Sequence, residues 1–424
     1  MTLEVTGLVD QLGSRTNALD ATRLWAESGA MALTGDAGGD PLGASAPVAA
    51  LVRAAADLMG EVVAPRDRTP LLDNAPALLG ERAAILGLGR RGQVSCGGGT
   101  RLLRAADGWV AVALPRPEDQ AAVPAWLGLL GATADGQAFA EDVWAVVAGG
   151  VADRLAVEVA AAARLLEIPC SVMNEAPPAG SPWAVDAGPW ASPVARPLVV
   201  DLSALWAGPL CADLLRRAGA RVVKVEDPSR PDGSRLGWPA FADVLNAGKD
   251  SVAVDLTSTA GRRDLARLVA AADAVITSSR PRAFERLGMD VDAVLTRSPT
   301  VWVAVTGHGW NGPGRDRVGF GDDTAVAGGL VATGPADGAP RFLADAVADP
   351  LTGVLAALVA SAALGCGGSW FVDAALARAA SFAAGLGSVP DAHTTPLPPR
   401  ARRPEGTIRP LGADSAAVLS ELAS

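Results

Sequence analysis

The chain has 424 residues, half of them hydrophobic, and a formal net charge of −10. At roughly one domain per ~150 residues, that length predicts two or three domains around a substantial core. The acidic balance argues against nucleic acid or an anionic membrane as the main partner, so a small anionic ligand would need locally placed cations.

Those cations are nearly all arginines, because Lys224 and Lys249 are the only lysines. Four scattered cysteines (Cys96, Cys170, Cys211 and Cys366) form no CxxC pair, which fits a reducing cytoplasm and offers no zinc cluster. His308 and His393 are the only histidines, so no metal site is expected. The opening "MTLEVTGLVDQLGSR" lacks a basic n-region and a sustained apolar core, and is not read as a signal peptide.

In chain order, "WAESGAMALTGDAGGDPLGASAPVAALVRAAADLM" (25–59) comes first, with two small-residue helices joined by a TG turn and a glycine-rich loop. Residues 93–175 read as a small α+β unit. It opens on "SCGGGTR" (95–101), turns a hairpin at Asp107-Gly108 and ends near "LLEIPCSVMNE". Three successive glycines, Gly97, Gly98 and Gly99, let backbone amides approach a ligand and let a loop move. An ordinary flexible linker reads the same way.

Proline and glycine mark 176–197 as a linker. Beyond it strands and helices alternate: "PLVVDLS", "PLCADLLRRAG", "ARVVKVE", "SVAVDL", "STAGRRDLARLVAAA", "DAVITS", "VDAVLTRS" and "TVWVAVTG". The pattern predicts an α/β unit over 198–392, with a parallel sheet covered on both faces. Ligands of such sheets bind beyond the carboxyl ends of the strands. "SALWAGP", with Leu205 and Ala207, therefore lies on the expected ligand rim, together with "EDPSRP", "SSRPR" and "TGHGWNGPG".

Residues 323–358 repeat the pattern of 25–59. The second copy carries Asp345 and Asp349 ahead of an apolar helix expected over Pro350 to Leu364, too short and too Ala/Gly-rich to span a membrane. In the first copy the matching position falls near Val48. Asp349 followed by proline reads as a helix N-cap. A further proline-rich segment, 393–406, precedes the C-terminal piece.

Taken together, "VVDLSALWAGPLCADLLRRAGARVVKVEDP", "LNAGKDSVAVDL", "SSRPRAFERLGMD", "TGHGWNGPGRDRVGF", "VADPLTGVLAAL" and "IRPLGADSAAVLSEL" resemble, in order, the class III CoA-transferases. That is the family of formyl-CoA transferase, carnitine CoA-transferases and α-methylacyl-CoA racemase. The resemblance implies a Rossmann-like large domain with a parallel sheet plus a small α+β domain, in an intertwined homodimer. It implies acyl-CoA and carboxylate substrates and no metal.

Asp349 matches the family's nucleophilic aspartate, with Asp345 as the fallback, and Gly97–Gly99 match a loop that closes over the site. Arg280 matches an arginine that contacts the nucleotide of CoA, and Lys249 a lysine of the second signature loop. Lys224, Leu205 and Ala207 are read as further CoA contacts, and Arg282 could assist.

The chain departs from the family at Ala204, at Asn246-Ala247-Gly248 and at Phe320, where the racemase branch has its histidine. His308 is read as a turn residue. The small domain also precedes the large one, so the chain looks circularly permuted, with a degenerate helical copy over 1–92. Two alternatives stay open: an acyl-CoA racemase or isomerase, and a non-catalytic CoA-binding partner subunit.

Overall fold

The structure, a computed structural model, describes residues 5–63, 72–132, 141–389 and 394–422. His393 and the boundary expected at 392/393 lie outside them. Strands β1 (Thr100–Arg104), β2 (Trp109–Ala113) and β3 (Cys170–Val172) form a small antiparallel sheet. The β1–β2 turn falls at Ala105–Gly108, where the Ala105 amide donates to the Gly108 carbonyl at 3.0 Å.

The large sheet comprises β4 (Ala184–Ala187), β5 (Leu198–Leu202), β6 (Arg221–Glu226), β7 (Asp250–Ala253), β8 (Ala274–Thr277) and β9 (Val301–Thr306). A hairpin of β10 (Val331–Thr333) and β11 (Pro340–Phe342) stands apart, and β12 (Trp370–Ala375) completes the large sheet. Its order is β4-β12-β9-β8-β5-β6-β7. All neighbours run parallel except β4, which pairs antiparallel with β12 at the edge.

The expected linker is thus partly a strand. Residues 184–187 cover the exposed hydrogen-bonding edge of β12, as sheet edges require. From β5 the chain winds outward to β7, then returns to β8 and winds the other way. The reversal lies between β5 and β8, where open sheets of this kind hold their ligands. There the Ala204 amide donates to Ser278 Oγ at 3.0 Å, tying the two rim loops together.

Strands such as β9, buried along their whole length, need cover on both faces. The helices that shape the site are α1 (Val48–Val62), α2 (Glu81–Leu86), α3 (Ala156–Leu165), α4 (Ala207–Arg217), α5 (Gly321–Ala327), α6 (Ala348–Cys366) and α7 (Leu376–Gly385). Of these, α1, α4, α6 and α7 share one core on one face of the sheet. Helices 259–271, 281–287 and 291–297 and the C-terminal helix 415–421 cover the other.

Residues 1–92, expected as a separate copy, therefore contribute α1 to the large core. The proline-rich segment after 393 lies back over this region. Leu397 donates its amide to Ala26, and Arg402 ion-pairs with both Glu81 and Asp213.

Helix α6 has 19 residues, longer than its sequence suggested, because it begins two residues before Pro350 and ends two residues after Leu364. By length and composition it could cross a membrane, yet most of it is buried within the protein. Close packing explains the small residues. A Cβ at Gly353 would come within 2.8 Å of the Ala207 carbonyl oxygen of α4.

Candidate active site

Asp349 sits in the first turn of α6 rather than at its cap. Val347 holds the cap position, and the Asp349 amide is turned to the Ala346 carbonyl at 2.9 Å. The expected N-cap role is thereby corrected: Asp349 lies inside the helix, which leaves its carboxylate unused by the backbone. Oδ2 lies only 2.4 Å from where a Cβ at Gly321 would stand, so glycine there makes the carboxylate's place.

Three more acids surround it. Asp345 is buried and accepts two bonds from Arg82, at 2.9 Å from Nε and 2.6 Å from Nη2. Asp322 accepts from the Ala346 amide at 3.0 Å and from Thr100 Oγ1 at 3.3 Å. Asp323 accepts from the Phe320 amide at 2.7 Å and from Ser171 Oγ at 3.1 Å. Thr100 and Ser171 belong to the small sheet and Arg82 to α2. The site therefore joins the N-terminal region, the small sheet and the large domain of a single chain.

Burial pushes the Asp349 carboxyl up to about 7; Arg82 pulls it down, while Asp322, Asp323 and Asp345 add repulsion. Burial likewise raises Asp322 to about 6, with Asp345 contributing, and Asp323 to about 7. Burial works against the charge on Arg82, but Asp345 holds that guanidinium firmly protonated. Its planar face also lies over the rings of Trp206 and Trp238, 5.1 and 5.0 Å from the centroids. With Asp322, Asp323 and Asp349 all raised, part of this trio stays protonated near neutrality.

The three glycines form a turn beside this cluster. The Gly98 amide donates to the Ser95 carbonyl at 2.8 Å, and a Cβ at Gly97 would lie 3.6 Å from Arg82 Nη2. Gly98 has φ +79°, so a side chain there would strain the backbone, and a Cβ would press within 2.8 Å of Arg91. Gly97 is the residue whose substitution probes the site without that strain.

The rim departs from expectation at both lysines. Lys249 is buried, and its ammonium donates to Asp201 Oδ2 at 2.8 Å and to the Pro209 carbonyl and Asn246 Oδ1 at 2.9 Å each. Lys224, also buried, donates to the Ser203 carbonyl and pairs with Asp232 Oδ2, both at 2.9 Å. Neither is available to a phosphate. Internal carboxylates beneath the rim loops take the charges that sequence assigned to a ligand. Ala207 is buried as the first residue of α4, whereas Leu205 lies on the rim, partly exposed, with φ +71° and its amide bonded to Asp232.

Arg280 and Arg282 do stand on the rim after β8, and both reach Glu167. His308 follows β9. Burial pushes its imidazole down to about 3, so it is neutral, with Nε2 unpartnered. Among the described residues no cluster suited to a metal ion occurs.

Sequence reading missed Arg82, Asp322, Asp323, Thr100, Ser171 and Glu167. The adjacent acids of "GFGDD", set in an otherwise apolar stretch, were a signal for two of them. Arg82 lies 263 positions from Asp345 and carries no local signal.

Residues 197–401 match the family described as CoA-transferase family III. That segment is a little under half of the chain. The chain is 36% identical over 186 residues to a succinyl-CoA–D-citramalate CoA-transferase of Chloroflexus aurantiacus, covering 40% of this chain and 45% of that one. It is 32% identical to a succinate–glutarate CoA-transferase of Agrobacterium fabrum, covering 39% and 45%. A crystal structure of a CAIB/BAIF family protein from Brucella suis is 30% identical, covers 45% and 55%, and gives a TM-score of 0.41. The chain thus spans about half the length of the curated CoA-transferases it matches.

Proposed function

We propose that the protein is an acyl-CoA:carboxylate CoA-transferase in which Asp349 is the nucleophile. The observation that carries this is the setting of Asp349: a carboxylate free of backbone duty, seated against Gly321 and raised to about 7. The match of residues 197–401 to CoA-transferase family III supports it.

On this reading an Asp349 oxygen attacks the thioester carbonyl, the C–S bond breaks, and CoA leaves as thiolate with a mixed anhydride left behind. The thiolate then attacks the aspartyl carbonyl of the anhydride, releasing the donor acid and leaving an aspartyl-CoA thioester. An acceptor carboxylate expels CoA thiolate from that thioester, forming a second anhydride. The thiolate takes the acceptor's acyl group and frees Asp349. No proton is gained or lost over the cycle, so the site needs a nucleophile and exclusion of water more than an acid. A homodimer in a cytoplasmic setting belongs to the same proposal, and light scattering of the purified chain tests the dimer.

The test is covalent capture. Wild type incubated with succinyl-CoA and hydroxylamine should carry a hydroxamate on the peptide containing Asp349. The label should rise with pH through about 7 as the carboxylate ionises. Asp349→Asn should fold and lose transfer by on the order of 10³-fold or more. Native-rate transfer by Asp349→Asn would remove Asp349 from the chemistry.

A second reading rests on Asp322 and Asp323, two further acids held near neutrality beside Asp349. Such a group can move a proton on and off an α-carbon, as a racemase or isomerase requires. Washout of an α-hydrogen of acyl-CoA into D2O, without transfer to any acid, would favour that chemistry.

A further inference from the structure

Two rim arginines share one carboxylate. Arg282 Nη2 donates to Glu167 Oε1 at 2.5 Å, and Arg280 Nη1 and Nη2 donate to Oε2 at 3.2 Å each. Arg280 Nη1 also donates to the Asp316 carbonyl at 2.9 Å. The arginines follow β8, at the reversal of strand order. Glu167 lies on the short connection between α3 and β3 that leads back into the small sheet.

That connection is held by its backbone. Glu167 has φ +57°, and its carbonyl accepts from Arg116 Nη2 at 3.4 Å. Its side chain is 47% exposed and can leave the arginines by rotation alone, with the small sheet unmoved.

Two guanidinium groups two residues apart share the Glu167 carboxylate. Burial and the Arg282 charge work against the Arg280 cation, while the Asp316 charge adds a weaker attraction there. A phosphate monoester dianion would bring one more negative charge than Glu167 carries, and three acceptor oxygens in the geometry guanidinium forks prefer. It would occupy the space Glu167 now fills. The hydrogen bond from Arg282 keeps Glu167 well below the usual carboxylate range, so neutral pH does not remove the competitor.

We infer that Glu167 is a built-in competitor: it occupies the Arg280–Arg282 pair in the free protein and must be displaced by the phosphate of an incoming ligand. This rests on the CoA reading only for the natural source of that phosphate. Displacement lowers the affinity of free protein for phosphate-bearing ligands. It also frees a carboxylate beside the rim each time a ligand seats.

The experiment is calorimetric titration of the full chain with adenosine 3′,5′-bisphosphate and, separately, with inorganic phosphate. Glu167→Gln and Glu167→Ala should each bind the nucleotide about three- to fivefold more tightly than wild type, the size expected for a partly exposed ion pair. In an Arg280→Gln/Arg282→Gln background the same Glu167 changes should give no gain. An equal gain with inorganic phosphate marks a general phosphate site; a gain confined to the nucleotide marks the CoA-like ligand. Unchanged affinity in both Glu167 variants, or a gain that persists without the arginines, overturns the inference. Labelling of Asp349 by acyl-CoA is read independently, so loss of this inference and loss of the transferase reading produce different results.

Discussion

Two stretches of this chain share a plan and differ in their chemistry. Residues 25–59 and 323–358 each lead from a short apolar segment through a TG turn into an apolar helix, and the two helices, α1 and α6, belong to the same core. In the first copy the chain enters α1 through Ala44, Ala46 and Val48, all buried, with Pro47 at the cap. In the second, Asp345 and Asp349 hold the approach to α6, and Ala344 and Ala346 take φ +53° and +44° on either side of Asp345.

Left-handed alanines and buried carboxylates both cost stability, and here they coincide. Support for them comes from outside the repeat, through Arg82 of α2 and Thr100 of the small sheet. The comparison teaches that the helix–turn–helix plan is a scaffold. Chemistry follows where other parts of the chain supply counter-charge.

Giving the first copy an acid should break it. Val48→Asp would place a carboxylate in the apolar core and should destabilise by about 4–5 kcal/mol in a urea titration, without creating a second acylation site. Removing the counter-charge from the second copy should cost about 3–4 kcal/mol. Arg82→Met leaves Asp345 buried and unpaired, and it should also move the midpoint of Asp349 labelling to higher pH. A variant as stable as wild type would mean that the ion pair does not support the strained approach to α6.

The smallest effect has the opposite sign. Asp349 is raised from 3.8 to about 7, so between those values the folded chain keeps a proton that the unfolded chain releases. Stability therefore falls as pH rises through that window. Asp349→Asn lifts the penalty. Its melting temperature should match wild type near pH 4 and exceed it above pH 7, by an amount corresponding to about 2–4 kcal/mol. Because Asp322 and Asp323 titrate in the same range, the midpoint belongs to the cluster. An equal gap at both pH values would place the Asp349 charge in solvent.

Periodicity made the large sheet legible, since its strands are continuous apolar runs and its helices carry ordinary stop signals. The β1–β2 hairpin was equally plain from Asp107-Gly108. Strand β4 was not, because "AVDA" within a proline-rich stretch has no pattern of its own and becomes a strand only by covering β12. Asp349 stood out by its place before a helix and its match to the family's aspartate, but the cap role read for it fails, since the helix starts at Ala348. The lysines misled for a physical reason: nothing local distinguishes a cation aimed at a ligand from one aimed at Asp201 or Asp232. Arg82 was invisible because it reaches Asp345 only through the tertiary fold.

The burial of Lys224 and Lys249 has a practical side. Acyl-CoA thioesters acylate exposed ε-amines without any enzyme, a background that complicates the search for genuine acyl-enzyme intermediates. Here both ε-amines are internal and hydrogen-bonded. The folded protein should be nearly blank to amine-reactive esters and lysine-directed cross-linkers. An acyl group retained under native conditions would then have few places to be other than a carboxylate.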